Sequence, residues 1–313
     1  MASKATTPPN DAPSPSPPLV LDAHLHVWPT PTSYAYVEGK EPPASLATTA
    51  TAEALVSAMD DAGIHGALIV QPINLLHDHA YVADVVRRYP GRFVACALAD
   101  PTRGIAGVND LSRLLHAGDA PGNASTGTYR AVRFNPGLWP EGARMTDEVG
   151  VAMFELCGER RAPVGFMCFH GLHLHVEDIK ELMRASPRTP VMIDHFGFCK
   201  GVDDPNWKAL LELAKFPQVG VKASAQFRVL PLDASDEDKE WPYPTTGAQL
   251  RQLIDAFGVE RVLWGSDFPY VTRECGYAEA ATILENCGAG VTPEEKALLM
   301  GGNLQRTFPG GWY

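Results

Sequence analysis

Hydrophobic positions along this chain fall into two kinds of segment that alternate. The first kind is a short apolar run, and eight occur: 19–27 (LVLDAHLHV), 66–72 (GALIVQP), 92–100 (RFVACALAD), 128–135 (TYRAVRFN), 163–169 (PVGFMCF), 190–196 (PVMIDHF), 218–227 (QVGVKASAQF) and 261–268 (RVLWGSDF). Most are apolar at consecutive rather than alternate positions, the pattern of strands in a parallel sheet covered by helices. The second kind carries apolar residues at helical spacing. Leu55, Met59 and Ala62 share a face, as do Val82, Val85, Val86 and Tyr89. Val176, Ile179 and Met183 form another stripe, and Leu250, Leu253, Ile254 and Phe257 a fourth. Gly63, Pro90-Gly91, Pro187, Pro217 and Gly258 stop these helices. Near the C-terminus Thr292 is placed as an N-cap, Pro293 as the first helical residue and Glu295 as the partner in a capping box.

Eight strands, each followed by a helix or a helix-sized gap, spell an α/β architecture: a single-domain (β/α)8 TIM barrel over 19–313. A doubly wound open sheet is the competitor, and no glycine-rich phosphate turn follows the first strand to favour it. Segment 28–50, rich in Pro, Thr and Ala, reads as a long loop after strand 1 and a candidate part of a lid.

Composition narrows the function. The chain has 313 residues, 45% hydrophobic and 20% charged, enough for a sizeable core. A net charge of -11 with no Lys/Arg cluster argues against a nucleic-acid partner. No apolar run reaches the roughly 20 residues that span a bilayer, so no membrane partner is expected. None of the six cysteines forms a CxxC pair, and Cys96, Cys157, Cys168 and Cys199 lie in apolar or helical segments. Reduced core thiols in an intracellular protein are expected. Residues 1–18 are rich in Pro, Ser and Thr and read as a disordered tail without a secretory signal. A cytoplasmic location is expected. A chloroplast or other organelle transit peptide is the alternative, although the tail has no Arg and one Lys. Monomer and homodimer stay equally open.

In such a barrel the active site lies at the C-terminal strand ends. Strand 1 ends with His24 and His26, strand 4 with Arg133 and Asn135, strand 6 with Asp194 and His195, and strand 8 with Ser266 and Asp267. Strand 7 carries Lys222, with Arg228 beyond it, and strand 5 runs into His170, His173 and His175. His24 and His26, two apart, share the inward face if Leu25 and Val27 pack outward. Alone they are as readily lumen filler as function. With His195 and Asp267 on separate strand ends the balance moves to function, because burying imidazoles and a carboxylate without a task is costly. Arg133 and Asn135 share a face, and a guanidinium suits a substrate carboxylate; a salt bridge to Asp194 or Asp22 is its structural alternative. Lys222, Arg228, Trp28 and Tyr270 are further candidates to touch substrate; Trp139 also follows a strand. Asp22 shares the histidine face under the same period and is expected to steady an imidazole or the fold. Asp194 is expected to point away from the lumen if His195 points in. His173 and His175 read as helix-entry or surface residues.

The stretches DAHLHVW, VMIDHFG and LWGSDFPY resemble the amidohydrolase superfamily, in its amidohydrolase-related branch, which contains 2-pyrone-4,6-dicarboxylate lactonase and sugar lactonases. RYPGRFVACALADP, AVRFNPGLW and GGNLQRTF are similar to the branch as well, so the resemblance runs from about Leu19 to Phe308. GFCKG and SDFPYVTRECGY are also similar to uncharacterised amidohydrolase-like proteins of plants. The resemblance implies that His24, His26, His195 and Asp267 ring a divalent metal, with Asp267 moving the proton of an attacking water. Two-metal members carry a bridging Lys or Glu at the end of strand 4, where this chain has Arg133 and Asn135, so a bridged pair is not expected. Many members place a histidine after strand 5, which leaves His170 as an additional candidate ligand. One ion, zinc or manganese, and metal-independent catalysis both stay open.

The combined expectation is a hydrolase that opens a lactone or cyclic ester of a carboxylated or polyhydroxylated small molecule. Asp267 is its general base and acid, His24, His26 and His195 polarise the carbonyl, and Arg133 anchors the substrate. A metal-dependent decarboxylase and a catalytically silent small-molecule-binding barrel are the alternatives.

Overall fold

Every predicted apolar run contains a strand. The computed structural model describes residues 18–30, 32–115 and 128–312. The strands are β1 (Leu21–Leu25), β2 (Gly66–Val70), β3 (Phe93–Leu98), β4 (Tyr129–Phe134), β5 (Val164–Phe166), β6 (Val191–Ile193), β7 (Val219–Ser224) and β8 (Val262–Gly265). They form one sheet in chain order, each parallel to the next. A parallel bridge between Leu25 and Phe268 brings β8 back to β1. There the His26 amide donates to Phe268 O at 2.7 Å and the Asp267 amide to His24 O at 2.8 Å. With helices between the strands, this is a single-domain (β/α)8 barrel. Most of the expected tail, residues 1–17, lies outside the described residues.

The helical stripes face the sheet. Leu55 and Met59 are buried on Ala52–Asp61, Val82 and Val85 on Ala80–Arg88, and Ile179 and Met183 on Val176–Ala185. Leu250, Leu253, Ile254 and Phe257 are buried on Thr245–Phe257. Thr292 and Glu295 form the capping box at Pro293–Ala297. The six cysteines are free. Among the described residues no helix is long and apolar enough to cross a membrane.

Alternate strand residues face helices or lumen, as the two-residue period requires. Ile69, Val132, Phe166, Ile193, Val221 and Trp264 join the outer core. Leu68, Val94, Ala131, Met192 and Leu263 join an inner cluster with Leu304, Phe308 and Trp312 of the C-terminal segment. β1 departs from the period. Leu21 and Ala23 belong to the inner cluster but Leu25 to the outer one, and the pairing register shifts between Asp22 and Leu25. This irregularity turns His24 and His26 inward while leaving Asp22 on the opposite face. The expectation that Asp22 shares the histidine face is thereby corrected.

Candidate active site

The strands are shorter than the apolar runs because the ends of the runs leave the ladder to form the barrel mouth. At β6, Ile193 faces the helices, so Asp194 faces in. The chain then turns sharply: His195 (φ 51°), Phe196 (φ 50°) and Phe198 (φ 57°) all adopt left-handed backbone. Such conformations cost about 1–2 kcal/mol per non-glycine residue and gather at functional sites. The turn breaks the two-residue period, so Asp194 and His195 both reach the lumen. The expected outward Asp194 is therefore corrected. At β8, Asp267 (φ 60°) is turned inward in the same way. Gly265 makes room for this arrangement: a Cβ there would lie 2.9 Å from the Cβ of His24.

Asp22 anchors this turn from behind. Its Oδ1 accepts from the amides of His24 and Ser266, both at 3.0 Å, and its Oδ2 from the Tyr277 hydroxyl at 3.1 Å. It ties β1 to the β8 turn through backbone groups and holds no imidazole.

Two layers of polar groups fill the upper lumen. In the deeper layer Asp194 receives Arg133 Nη2 on Oδ2 and faces Lys222 Nζ with Oδ1, each at 3.1 Å. Arg133 Nη2 also donates to His24 Nε2 at 2.8 Å. Both the guanidinium and the Lys222 ammonium are donor-only; the shorter contact, from Arg133, takes the His24 Nε2 lone pair and leaves the ring proton on Nδ1, towards Asp194. That nitrogen is 3.4 Å from Asp194 Oδ1 and 3.3 Å from Lys222 Nζ. Burial would raise the Asp194 carboxyl, but Lys222, Arg133 and His24 outweigh it and hold the group well below the usual range. Burial, then Lys222 and His195, push His24 well down, so its imidazole is neutral.

The upper layer faces a cavity of about 290 Å³ whose lining includes His26, Arg133, His195, Arg228, Asp267 and Tyr270. His26 Nδ1 donates to Val70 O at 2.8 Å, because a carbonyl only accepts, which leaves Nε2 with its lone pair exposed. His195 Nδ1 bonds Ser224 Oγ at 2.9 Å. Both Nε2 atoms face Asp267 Oδ1, at 3.8 Å from His26 and 4.0 Å from His195. Burial drives the His26 pKa down to about 3 and that of His195 well below its usual value. Burial raises Asp267 to about 6, against the pull of Arg228, whose Nε donates to Oδ2 at 2.9 Å. The Arg228 guanidinium lies over the Tyr270 ring, 4.7 Å from its centroid. Arg133 is 6% exposed and its Nε has no hydrogen-bond partner in the described structure. With neutral imidazoles, Arg133, Lys222 and Arg228 face two carboxylates, Asp194 and Asp267, so the site is net positive in a chain of charge -11.

Ring nitrogens of His24 and His195 and a carboxylate oxygen of Asp267 lie within 4.8 Å of one another, a spacing compatible with a metal ion. The His24 lone pair is committed to Arg133, however. The donors left free are Nε2 of His26, Nε2 of His195 and Asp267, two neutral imidazoles and a carboxylate. Donors of these types suit one ion of the zinc type, but His26 lies outside the group whose ligand atoms fall within 4.8 Å of one another. The remaining nitrogens of His26 and His195 are fixed by Val70 O and Ser224 Oγ, as ligating histidines require.

Several expected contacts fall elsewhere. Lys222 is buried beneath His24 and does not line the cavity, and His24 does not line it either. Trp28 is fully buried, edge-on to Tyr270 at 5.8 Å between centroids, and serves packing. Asn135 lines the cavity, and its side chain caps the turn by accepting from the Gly137 amide at 3.1 Å. His170 is exposed, lies against Phe169 and lines an adjoining cavity. His173 bonds Asn206, and His175 is the residue at the entry of Val176–Ala185. The sequence reading missed Asn74, Met167, Phe169 and Phe198, which also line the cavity. Asn74 is a polar residue just beyond the end of β2, the kind of position where the other strands carry their site residues.

A model of the amidohydrolase family matches residues 21–310. The chain belongs to the amidohydrolase family. Among curated relatives, 4-sulfomuconolactone hydrolase of Hydrogenophaga intermedia is 28% identical over 81% of this chain and 76% of its own length. L-fucono-1,5-lactonase of Burkholderia ambifaria is 25% identical over 90% of this chain and 93% of its own. Among solved structures, a probable 2-pyrone-4,6-dicarboxylic acid hydrolase of Acinetobacter baumannii with citric acid bound superimposes with a TM-score of 0.70 at 20% identity. It covers 92% of this chain and 98% of that one.

Proposed function

We propose that this amidohydrolase opens a lactone or cyclic ester carrying a carboxylate. The observation that carries the reading is a carboxylate, Asp267, facing the Nε2 nitrogens of two buried imidazoles, His26 and His195, at the wall of a cavity. Asp267 has its pKa raised to about 6, close to the working range of a general base at neutral pH. The two named relatives, both lactone hydrolases by name, support the reaction class.

Each group has a defined part. Water between Asp267 Oδ1 and the Nε2 atoms of His26 and His195 gives its proton to Asp267 as its oxygen attacks the lactone carbonyl. The ring C–O bond then breaks, and Asp267 returns the proton to the departing alkoxide oxygen. Neither His26 nor His24 polarises the carbonyl in its neutral form. The free His26 nitrogen is an acceptor, and both His24 nitrogens have partners inside the protein. That task falls to the cations that line the cavity, Arg228 and Arg133. These also account for an anionic substrate, since the site is net positive. His24, Asp194 and Lys222 act as positioning residues for Arg133. A divalent ion, zinc or manganese, would be held by His195 and Asp267 with a strand-1 histidine, His24 completing the group within 4.8 Å, and when bound it supplies Lewis-acid polarisation and a more acidic water.

A histidine ligand after strand 5 would favour the decarboxylase alternative, and His170 stands outside the cluster. The test is Asp267→Asn on a panel of carboxylated lactones. Loss of about 10²–10⁴-fold in kcat with unchanged thermal stability is expected; wild-type turnover would overturn the mechanism.

A further inference from the structure

The catalytic cavity, at about 290 Å³, is at the low edge of the roughly 300–1,000 Å³ usual for small-molecule sites. It is not isolated. A second cavity of about 410 Å³ shares Ile73, Asn135, Met167 and Phe169 with it. The character of the wall changes between the two. The catalytic side presents the charged groups already described, whereas the far side is made by Pro136 and Leu138. At the seam stand two large apolar side chains left open to solvent, Phe169 at 58% and Ile73 at 41% exposure. Phe169 is held there by ring contacts with Phe198 and His170, at 5.4 and 5.5 Å. The outer rim carries Lys40, His170 and His175. Lys40 arrives on the long loop after β1, which is pinned to the loop after β2: the Val37 amide donates to Asn74 O at 3.0 Å, and Asn74 Nδ2 donates to Lys40 O. Burial lowers the pKa of His175, which favours its neutral form, so Lys40 is the fixed cation of the rim.

We propose that the second cavity is a subsite for an arm of the substrate: the lactone bears an apolar, aromatic-sized substituent that ends in an anionic group. This rests on the lactonase reading of the adjoining site. The lactone ring sits against Asp267 and Arg133. The arm crosses the seam over Phe169 and Met167 and packs on Leu138 and Pro136, and its anionic tip meets Lys40. Burying the arm covers apolar surface that the free protein leaves in water, and that supplies the binding.

The test compares one carboxylated lactone with the same lactone carrying an arylalkanoate arm. Leu138→Trp fills the second cavity from its far wall and touches none of the catalytic groups. Lys40→Gln removes the cation at the rim from an exposed loop and serves as the second variant. Wild-type protein should prefer the armed lactone by about tenfold or more in kcat/KM. Both variants should lose most of that preference while keeping wild-type turnover of the unsubstituted lactone. Equal turnover of the two lactones, or variants that slow both alike, would overturn the subsite. Absence of turnover for either lactone in the wild type counts against the hydrolase reading instead. In that event 3-phenylpropionate, titrated into the proteins and followed by NMR, decides the subsite alone: weaker binding to both variants supports it, and unchanged binding rejects it.

Discussion

The two halves of the barrel lumen are built on the same eight strands with the same inward period, yet their chemistry is opposite. The lower half is hydrocarbon: Leu21, Ala23, Leu68, Val94, Ala131, Met192 and Leu263, packed with Leu304, Phe308 and Trp312. Towards the C-terminal ends of the strands, the upper half holds His24, Arg133, Asp194, Lys222 and Asp267, all buried. β6 shows the contrast most compactly, with Met192 in the lower layer and Asp194 in the upper. The lower half gains from burial alone and needs no geometry beyond packing. The upper half is stable only while its charges stay paired, because desolvation of each ion costs several kcal/mol. The difference marks where the fold serves the site rather than itself.

The largest expected effect comes from unpairing the upper half. Asp194→Asn removes the carboxylate that Lys222 and Arg133 share and leaves two buried cations with no counter-charge. Unfolding in denaturant should show a loss of about 3–5 kcal/mol. The double variant Asp194→Leu with Lys222→Met, which extends the lower half's chemistry upward, should be more stable than Asp194→Asn and should still lack activity. If the double variant is the less stable of the two, charge pairing is not what sets the cost.

A smaller effect is expected below. Leu263→Ala opens a cavity in the hydrocarbon layer and should cost about 2–5 kcal/mol. At temperatures well under the melting point its kcat/KM should stay at the wild-type level, since no charged group of the upper layer changes partner. A matching fall in kcat/KM would mean that the two halves are mechanically coupled.

The same contrast explains what was legible in the sequence. The lower half and the outer core are regular, so continuous apolar runs locate all eight strands, and three- and four-residue spacings locate four of the helices. The upper half departs from regularity at the positions that carry the chemistry. His24 and His26 were placed inward by the two-residue period, but the same period put Asp22 with them, and the register shift in β1 separates them. The two-residue period puts Asp194 on the wrong face because four left-handed residues follow it, and nothing about the three that are not glycine, His195, Phe196 and Phe198, announces that backbone. Lys222 is a candidate to touch substrate by sequence, yet depth along a strand is invisible to a two-residue pattern. It lies under His24 rather than in the cavity. Asn74, Met167 and Phe169 come from loops, whose fold depends on long-range contacts such as that between Val37 and Asn74.

The smallest effect is expected at the mouth, where Arg228 is 30% exposed in its side chain and water weakens its pairing with Asp267. Arg228→Gln should leave the fold intact and lower kcat/KM for carboxylated lactones by about tenfold, the order of one charge-assisted hydrogen bond. Neutral lactones should lose less. The pH profile gives the sharper reading. Asp267 must be ionised to accept a proton, so wild-type activity should fall as pH drops through about 6. Arg228 stabilises the ionised carboxylate, and its removal raises the Asp267 pKa, so the acid limb of kcat/KM should move to higher pH. Turnover of the variant near pH 6 should then suffer more than turnover in mildly alkaline buffer. A limb that stays in place would show that Arg228 meets the substrate without tuning the base; a limb displaced to lower pH would contradict the pairing seen at Asp267 Oδ2. Lys222, beneath the same site and sealed from water, offers no such graded response, since a charge buried there is either paired or destabilising.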